Sequence, residues 1–238
     1  ENIYAVGEIG TIIHYDGDGW EEVFSLDNAG GEGFILTGYS PSFSDDHVSY
    51  LWLVKTDNDG HELWNRTIQT LYTSAGTDVI RTSDGGYAIG GSMGSTGNSV
   101  ALLVKTNSSG GLEWQRWYEL GYTAGVTRKC HSLQQTTDGG YILAGTMGDF
   151  ETSSLDGLLI KTDAEGNEEW HTTFGAPGMG ANDIANSVLV SNDGYIFGGY
   201  TTNPDTGKDF WLVGTDSLGV QLWNASFDRT SEDLAYAL

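Results

Sequence analysis

Apolar positions along the chain fall in short runs separated by glycine-rich turns, and the same run recurs. Four segments combine β-branched, aromatic and small residues over strand-like lengths: GFILTGYS, GYAIGGSM, GYILAGTM and GYIFGGYT. Other segments end in turns with Asp or Asn early and Gly late, as in LWLVKTDNDG and GLLIKTDAEG. Turns of this composition join the strands of tight hairpins. The pattern therefore predicts an all-β chain.

The segments repeat at a nearly constant spacing. The aromatic residue after the glycine turn lies at Phe34, Tyr87, Tyr141 and Tyr195, in steps of 53, 54 and 54 residues. A tryptophan after the later hairpin recurs at Trp64, Trp114, Trp170 and Trp223, where we expect it to fill the space between sheets. A further short strand precedes each turn, so every repeat has four strands. This period is typical of a β-propeller blade.

The predicted fold is an all-β, five-bladed β-propeller of four-stranded antiparallel blades. NIYAVGEIGTIIHYDGDGW reads as a shortened repeat, and EDLAYAL at the other end resembles a first strand. Pairing of the N- and C-terminal strands is then expected to close the ring as one domain, residues 1–238. The predicted blades are 1–26 plus 231–238, 27–69, 70–118, 119–174 and 175–230.

One strand is missing between the first and second blades. Val23 aligns with the repeated tryptophan and lies 11 residues before Phe34, whereas the other repeats use 23 to 27 residues for this interval. We expect the outer strand of the first blade to be reduced, because the inner strand of the second lines the central channel. Loss of that inner strand is the alternative.

Charge and cysteine content exclude several classes of function. The chain has 10 Lys and Arg against 33 Asp and Glu, a net charge of −23, which disfavours nucleic acid and anionic membranes as partners. Cys130 is the single cysteine, so no intrachain disulfide forms. No apolar run reaches the roughly 20 residues of a membrane span. Because the chain starts at Glu1, we expect a processed, exported protein.

The phrases DGGYILAG, LLIKTDAEGNEEW and NDIANSVL resemble the repeats of extracellular β-propeller proteins of archaea and bacteria. The resemblance covers nearly the whole chain. It implies the propeller fold and exposure at a cell surface, and it implies no reaction.

Long, dissimilar connections should lie on one face of the ring, opposite the short glycine turns. Variable loops on a rigid scaffold commonly carry specificity, so we expect recognition there. The candidate binding residues are aromatic or polar: Phe43, Asp45, Asp46, His47, Tyr50, Tyr72, Tyr122, Arg128, Asp149, Phe150 and Asp205.

No motif for catalysis or metal binding stands out, so we expect no enzyme activity, cofactor or metal. The chain contains no G-x-S-x-G phrase. Its histidines, at 14, 47, 61, 131 and 171, lack the spacing of a zinc site. The acidic stretches 16–19 and 57–60 lack the later ligands of an EF-hand, so we interpret them as hairpin turns.

The function predicted is a non-enzymatic extracellular module for interaction or structure at a cell surface, with a protein or glycan partner. A lectin-like carbohydrate binder is the first alternative, and a five-bladed glycoside hydrolase is the second. Its carboxylates would come from Asp78, Asp183 and Asp233, whose recurrence at one repeat position favours a structural role. Self-association into an extracellular filament by strand exchange is a further alternative.

Three sequons, at Asn65, Asn107 and Asn224, fit the acceptor pattern for N-glycosylation. Two of them directly follow a repeated tryptophan, which predicts exposure on the outermost strand. Their modification would imply an extracellular or cell-surface location.

Overall fold

The computed structural model describes the backbone of residues 3–6, 12–15, 20–40, 49–95, 98–121, 125–149, 154–175, 182–203 and 207–228. Within these ranges it describes side chains from Asp27 onward, apart from positions 28 and 203. The described residues form strands and turns and contain no helix. The prediction of an all-β chain is confirmed.

The strands follow one another along the chain as β1 (Ile3–Val6), β2 (Ile12–Tyr15), β3 (Trp20–Asn28), β4 (Phe34–Ser40), β5 (Tyr50–Thr56), β6 (Glu62–Ile68), β7 (Ser74–Arg81), β8 (Tyr87–Ser95), β9 (Asn98–Thr106), β10 (Leu112–Tyr118), β11 (Val126–Gln135), β12 (Tyr141–Asp149), β13 (Ser154–Thr162), β14 (Glu168–Phe174), β15 (Ile184–Val190), β16 (Gly194–Asn203), β17 (Gly207–Asp216) and β18 (Gln221–Phe227).

The described strands form four sheets in which neighbours in sequence are neighbours in space. The first sheet contains β1 to β6, and the second, third and fourth contain β7–β10, β11–β14 and β15–β18. The last three are the four-stranded units that the repeats predict. The prediction of five closed blades is wrong for the described strands, which form four sheets, none of them closed. The predicted pairing of residues 231–238 lies outside the described residues.

Strand β3 accounts for the missing strand. Its N-terminal part, Trp20 to Val23, pairs with β2, and its C-terminal part, Val23 to Asn28, pairs with β4. One strand therefore completes the β1–β2 hairpin and also serves as the inner strand of the next repeat. The inner strand of the second repeat is therefore present, and the outer strand of the first is reduced to Trp20–Val23, as expected. The structure adds that both are parts of one strand, so the two repeats merge into one sheet of six.

The last hairpin turn of each repeat has the same side-chain hydrogen bonds. A carboxylate or carboxamide oxygen of the first turn residue accepts from the backbone N–H groups two and four residues later, at Asp57, Asn107, Asp163 and Asp216. The glycine that follows takes a left-handed conformation, with φ of 83° at Gly60 and 77° at Gly219. Asp and Asn make such bonds, and glycine adopts this φ without strain.

A buried lysine joins the two glycine turns of a repeat. The Lys161 ammonium donates to Asp138 at 2.9 Å, to Glu169 at 2.9 Å and to the Thr162 carbonyl at 2.8 Å. Lys105 contacts Asp84 and Glu113 in the same way. Burial alone would raise the pKa of Asp138, but hydrogen bonds from Thr136 and Lys161 outweigh it and lower the pKa to about 2. The recurring DGG phrase thus carries a structural ion pair.

Aromatic side chains fill the space between the third and fourth sheets. Trp170 lies 5.8 Å from Tyr195, and Phe174 lies 5.0 Å from Phe197, between ring centroids. A Cβ atom on Gly219 would come within 2.5 Å of the Trp170 ring, so this turn requires glycine for close approach as well as for its φ. The packing matches the role expected for the repeated tryptophans.

The chain divides into two compact units. One comprises Glu1–Ser95 with Leu102–Trp117, and the other comprises Thr96–Ala101 with Tyr118–Leu238. Trp64 packs on Tyr87 within the first unit, at 6.1 Å between rings. No helix in the described ranges has the length and apolar character needed to cross a membrane.

The lysine network predicts the effect of Lys161→Met. The substitution leaves Asp138 and Glu169 side by side without a cation, so we expect urea unfolding to show a loss of about 1.5–3 kcal/mol, the range for hydrogen bonds to charged groups. Because the folded pKa of Asp138 is below its usual value of about 4, the wild type loses this stabilisation as the pH falls from about 4 towards 2. The variant should show a weaker dependence, because the hydrogen bonds from Thr136 and Gly140 to Asp138 remain.

Lys55→Met is the matched control, because the Lys55 ammonium donates to the Glu32 backbone carbonyl, at 2.8 Å, rather than to a carboxylate. We expect a smaller loss there. Equal losses of stability, with the same pH dependence, would contradict a specific role for the Lys161 carboxylates.

Candidate functional site

Three aspartates lie at the loop end of the third and fourth sheets, where the long connections join the strands. Asp156 belongs to the start of β13 and pairs in register with Met147. Asp183 directly precedes β15. Asp209 lies near the start of β17 and pairs with Thr201. The two sheets therefore bring carboxylates from three separate strands to one place.

The carboxylates of Asp156 and Asp183 lie close together beside Gly175. A Cβ atom on that glycine would come 2.3 Å from Asp156 Oδ1 and 2.9 Å from Asp183 Oδ2. The two oxygens are therefore separated by no more than the sum of these distances. Gly175 is exposed, and the absence of a side chain there leaves room for the two carboxylates.

Asp183 is held firmly in place. Its side chain is buried, with 0% of the residue exposed, and it accepts a hydrogen bond from the Thr201 hydroxyl at 2.5 Å. Its backbone N–H donates to the Leu155 carbonyl at 2.7 Å, which fixes the start of β15 against β13. Asp209, paired with Thr201 across the sheet, is 3% exposed. These contacts position a buried negative charge next to Asp156.

Asp156 is more exposed than Asp183 and Asp209, and the pKa of its carboxyl is shifted. It is half-buried, and it has no hydrogen-bond or ion-pair partner among the residues that the structure describes. Burial, and then the negative charge of Asp183, raise the pKa of the Asp156 carboxyl. A carboxyl whose pKa is raised beside a second carboxylate is the arrangement that acid catalysis by paired carboxylates uses.

Asn182, the residue before Asp183, has a buried hydrogen-bond acceptor. The Asn182 carboxamide oxygen is buried and has no hydrogen-bond partner among the described residues. Buried polar atoms are usually paired, so this oxygen can accept a hydrogen bond from a group other than the described residues. Together with the carboxylates it makes this end of the sheets rich in acceptors.

Four of the predicted binding residues lie within the described part of the chain. Tyr72 is 64% exposed, and Tyr50 and Asp149 are half-buried at strand ends. Arg128 is placed differently from the expectation of a surface anchor. It is 0% exposed, and its guanidinium donates to the carbonyls of Val126 and Gly121, so it cannot reach a partner at the surface.

The other predicted binding residues lie outside the described residues. They are Phe43, Asp45, Asp46, His47, Tyr122, Phe150 and Asp205. Their role remains a prediction.

The expected equivalence of Asp78 and Asp183 is wrong. Asp78 pairs with Gly90, directly after the register shift of β7, and the matching position in β15 is Ser187, which pairs with Gly198. Asp183 lies four positions earlier, where the first strand of the second sheet begins with Ser74. Asp183 is therefore not one of a set of repeated carboxylates. Asp233 lies outside the described residues.

Sequence reasoning missed Asp156 and Asp209. Asp156 lies five residues before the repeated Lys161, and Asp209 lies five before Gly214, which replaces the lysine in that repeat. Tyr50 and Val100 hold the same position in the other repeats. An acid at a strand position that is apolar elsewhere is the signal that would have found them.

The turn at 57–61 brings three metal-type ligands together. Single ligand atoms of Asp57, Asp59 and His61 lie within 4.8 Å of one another. One Asp57 oxygen already accepts from two backbone N–H groups, and the other lies 3.1 Å from His61 Nδ1. The equivalent turn at Asn107 makes the same backbone bonds without a carboxylate. The geometry is that of the predicted hairpin turn. The 16–19 turn lies outside the described residues.

No family model and no curated protein match this chain, but solved structures do. An endo-arabinase from Bacteroides thetaiotaomicron is 12% identical, with a TM-score of 0.47, and the match covers 88% of this chain and 81% of that chain. A candidate glycoside hydrolase from Parabacteroides distasonis is 9% identical, with a TM-score of 0.47 and coverages of 87% and 73%.

A third similar structure comes from a family of mannoside phosphorylases that contains hydrolases of β-1,2-mannosidic linkages in Candida mannan. It is 7% identical, with a TM-score of 0.44 and coverages of 87% and 71%. These matches correct the expectation that the chain is not an enzyme, since the structures it resembles include glycoside hydrolases. At these scores the likeness assigns neither a reaction nor a substrate to this chain.

The aspartate pair predicts a change in titration for Asp183→Asn. Removing the neighbouring negative charge should lower the pKa of Asp156, whereas burial, the larger cause, keeps it above its usual range. Carbon-detected NMR of the aspartate carboxyl groups measures the midpoint. Asp163→Asn is the control, because Asn107 occupies the equivalent turn position. An unchanged Asp156 midpoint in Asp183→Asn would contradict the coupling.

Proposed function

We propose that this chain hydrolyses glycosidic bonds, with Asp156 as the proton donor. The observation that carries the proposal is the Asp156–Asp183 pair. The acid of a glycoside hydrolase is a carboxyl whose pKa is raised, and a neighbouring carboxylate is one cause of such a rise. The raised pKa of Asp156 and the fixed charge of Asp183 supply these two conditions at one point.

The chemistry of the surrounding groups supports carbohydrate as the substrate class. The carboxylates and the Asn182 carboxamide oxygen accept hydrogen bonds, and sugar hydroxyl groups donate them. A net charge of −23 disfavours phosphorylated and other anionic substrates. A neutral, hydroxyl-rich ligand fits both conditions.

The roles of the two aspartates differ. Asp156 gives its proton to the oxygen of the leaving sugar as the bond to the anomeric carbon breaks. Water supplies the hydroxyl that replaces the leaving group, and its remaining proton restores Asp156. Asp183 acts as a positioning residue, since its buried charge favours the protonated form of Asp156 before the reaction.

We also propose that the chain works outside the cell, at a cell surface, as the resemblance of its repeats implies. Exposure of all three sequons supports this location. Asn65 and Asn224 are exposed on β6 and β18, and Asn107 is exposed at a hairpin turn.

A panel of neutral polysaccharides tests the hydrolase, with release of reducing ends measured across a range of pH. We expect Asp156→Asn to lower the rate by roughly 100-fold or more, the usual contribution of a general acid, while binding of the same glycan, followed by calorimetry, persists. The wild-type rate should fall as the pH rises through the Asp156 pKa. Asp163→Asn should match the wild type.

Two results would overturn the proposal. One is binding of a glycan without release of reducing ends from any substrate, which would make the site a carbohydrate receptor. The other is an Asp156→Asn variant as active as the wild type.

A further inference from the structure

Thr201 carries a hydroxyl group beside the aspartate pair, where two other repeats carry a methionine. It lies six residues after the repeated aromatic residue, at the position that Ser40, Met93 and Met147 hold. Ser40 and Met93 are 1% and 3% exposed, so this position faces the packed interior in other repeats. A hydroxyl group taken out of water needs a hydrogen-bond partner. The Thr201 hydroxyl donates to the Asp183 carboxylate at 2.5 Å.

The backbone around Asp183 follows the repeat, whereas the side chains do not. The Asp183 N–H donates to the Leu155 carbonyl, and the Ser74 N–H donates in the same way to the Ser49 carbonyl. The positions of Asp156, Asp183 and Thr201 hold Tyr50, Ser74 and Met93 two repeats earlier, and Val100, Arg128 and Met147 one repeat earlier. Of these three sets, only one combines two acids with a hydroxyl group. The repeated fold therefore does not require this combination.

The hydrogen bond from Thr201 makes the two aspartates unequal. A donor that points at a carboxylate favours its charged form, and Asp183, at 0% exposure, has lost the water that would otherwise do so. The pKa of Asp156 is raised by burial and by the charge of Asp183, and no hydrogen bond from a described residue opposes the rise. One acid of the pair thus has a donor that holds it in the charged form.

Two further charged groups lie on strands near the pair. Asp209 pairs with Thr201 across the fourth sheet and is 3% exposed. Arg128 lies on β11, two strands from Asp156 in register, and its guanidinium donates to backbone carbonyl groups. Among the described residues, Asp183 is the charge that raises the pKa of Asp156. A change in the charge of Asp183 is therefore transmitted directly to Asp156.

We propose that Thr201 is a positioning residue, which assigns the proton of the pair to Asp156 by keeping the charge on Asp183. Without the Thr201 hydroxyl, the two acids hold a proton with more similar strength and share it, as coupled carboxyl groups do. The inference deepens the proposed function and rests on it for any effect on the rate. A proton on the buried Asp183 cannot reach a leaving sugar, whereas Asp156 is half-buried.

Carbon-detected NMR of the Asp156 carboxyl tests the proposal without a substrate. We expect the wild type to titrate in one step. In Thr201→Val, part of the change should move to lower pH by about one unit, the size of one hydrogen bond to a charged group. Thr201→Ala removes the same hydroxyl with a smaller side chain and should titrate like Thr201→Val. Thr201→Ser keeps the hydroxyl and should titrate like the wild type.

Thr202→Val is the matched control, because the Thr202 hydroxyl donates to the Asn182 backbone carbonyl, at 2.7 Å, rather than to a carboxylate. Asp156 should titrate in this variant as in the wild type. A double-mutant cycle separates charge from structure: in the Asp183→Asn background, Thr201→Val should not change the Asp156 titration further, because the charge through which Thr201 acts is absent.

Any of three results would contradict the role of Thr201: an Asp156 titration in Thr201→Val and Thr201→Ala that matches the wild type, an equal displacement in Thr202→Val, or an effect of Thr201→Val that persists in full with Asp183→Asn. If the wild type hydrolyses a glycan, its loss of rate with rising pH should begin about one unit lower in Thr201→Val, with KM unchanged. A chain that titrates as expected but hydrolyses no glycan would refute the proposed function and leave the role of Thr201 in place.

Discussion

The contact between the third and fourth sheets is the constraint on which the candidate site depends. Asp156 and Asp183 belong to different sheets and are 27 positions apart in the chain. They meet because β15 begins alongside β13, held by the bond from Asp183 N–H to the Leu155 carbonyl. The aromatic layer of Trp170, Tyr195 and Phe197 fixes the separation of the sheets, since packed interiors do not deform continuously.

At the two ends of these sheets, neighbouring groups of opposite charge shift the pKa of an aspartate in opposite directions. At the turn end, Asp138 faces the Lys161 ammonium, and its pKa falls to about 2. At the loop end, Asp156 is half-buried beside Asp183, and its pKa is raised. Burial favours the neutral acid in both places, but only Asp138 gains hydrogen bonds that favour the charged form. The turn end thus stabilises the fold, and at the loop end the pKa of Asp156 is shifted towards that of a proton donor.

Most of the fold was predictable because its signals are local. Turn chemistry at Asp57, Asn107, Asp163 and Asp216 depends on a few adjacent residues, so the sequence shows it directly. The shared strand β3 was not predictable in the same way. Its two partners, β2 and β4, are chosen by long-range pairing, and the spacing alone showed only that one strand was missing.

The site was less predictable than the fold, and register is the reason. Asp183 looks equivalent to Asp78 when strands are aligned by composition, but Asp78 pairs with Gly90, and the matching residue in β15 is Ser187, four positions after Asp183. A displacement of a few residues changes which side chains face one another. Asp156 escaped notice because a site built from two sheets has no contiguous motif. Asp156 and Asp183 lie next to each other only when the third and fourth sheets are packed together.

Acidity limits what the surface of this chain can contact. Like charge keeps copies of the chain apart, which favours solubility and disfavours nonspecific association. Among the described residues, Leu71, Leu218 and Phe227 are apolar side chains that are more than half exposed. Single exposed apolar residues are common on folded proteins, because polar atoms cannot cover the whole surface. The repulsion between acidic groups therefore decides how copies of this chain meet, more than these apolar side chains do.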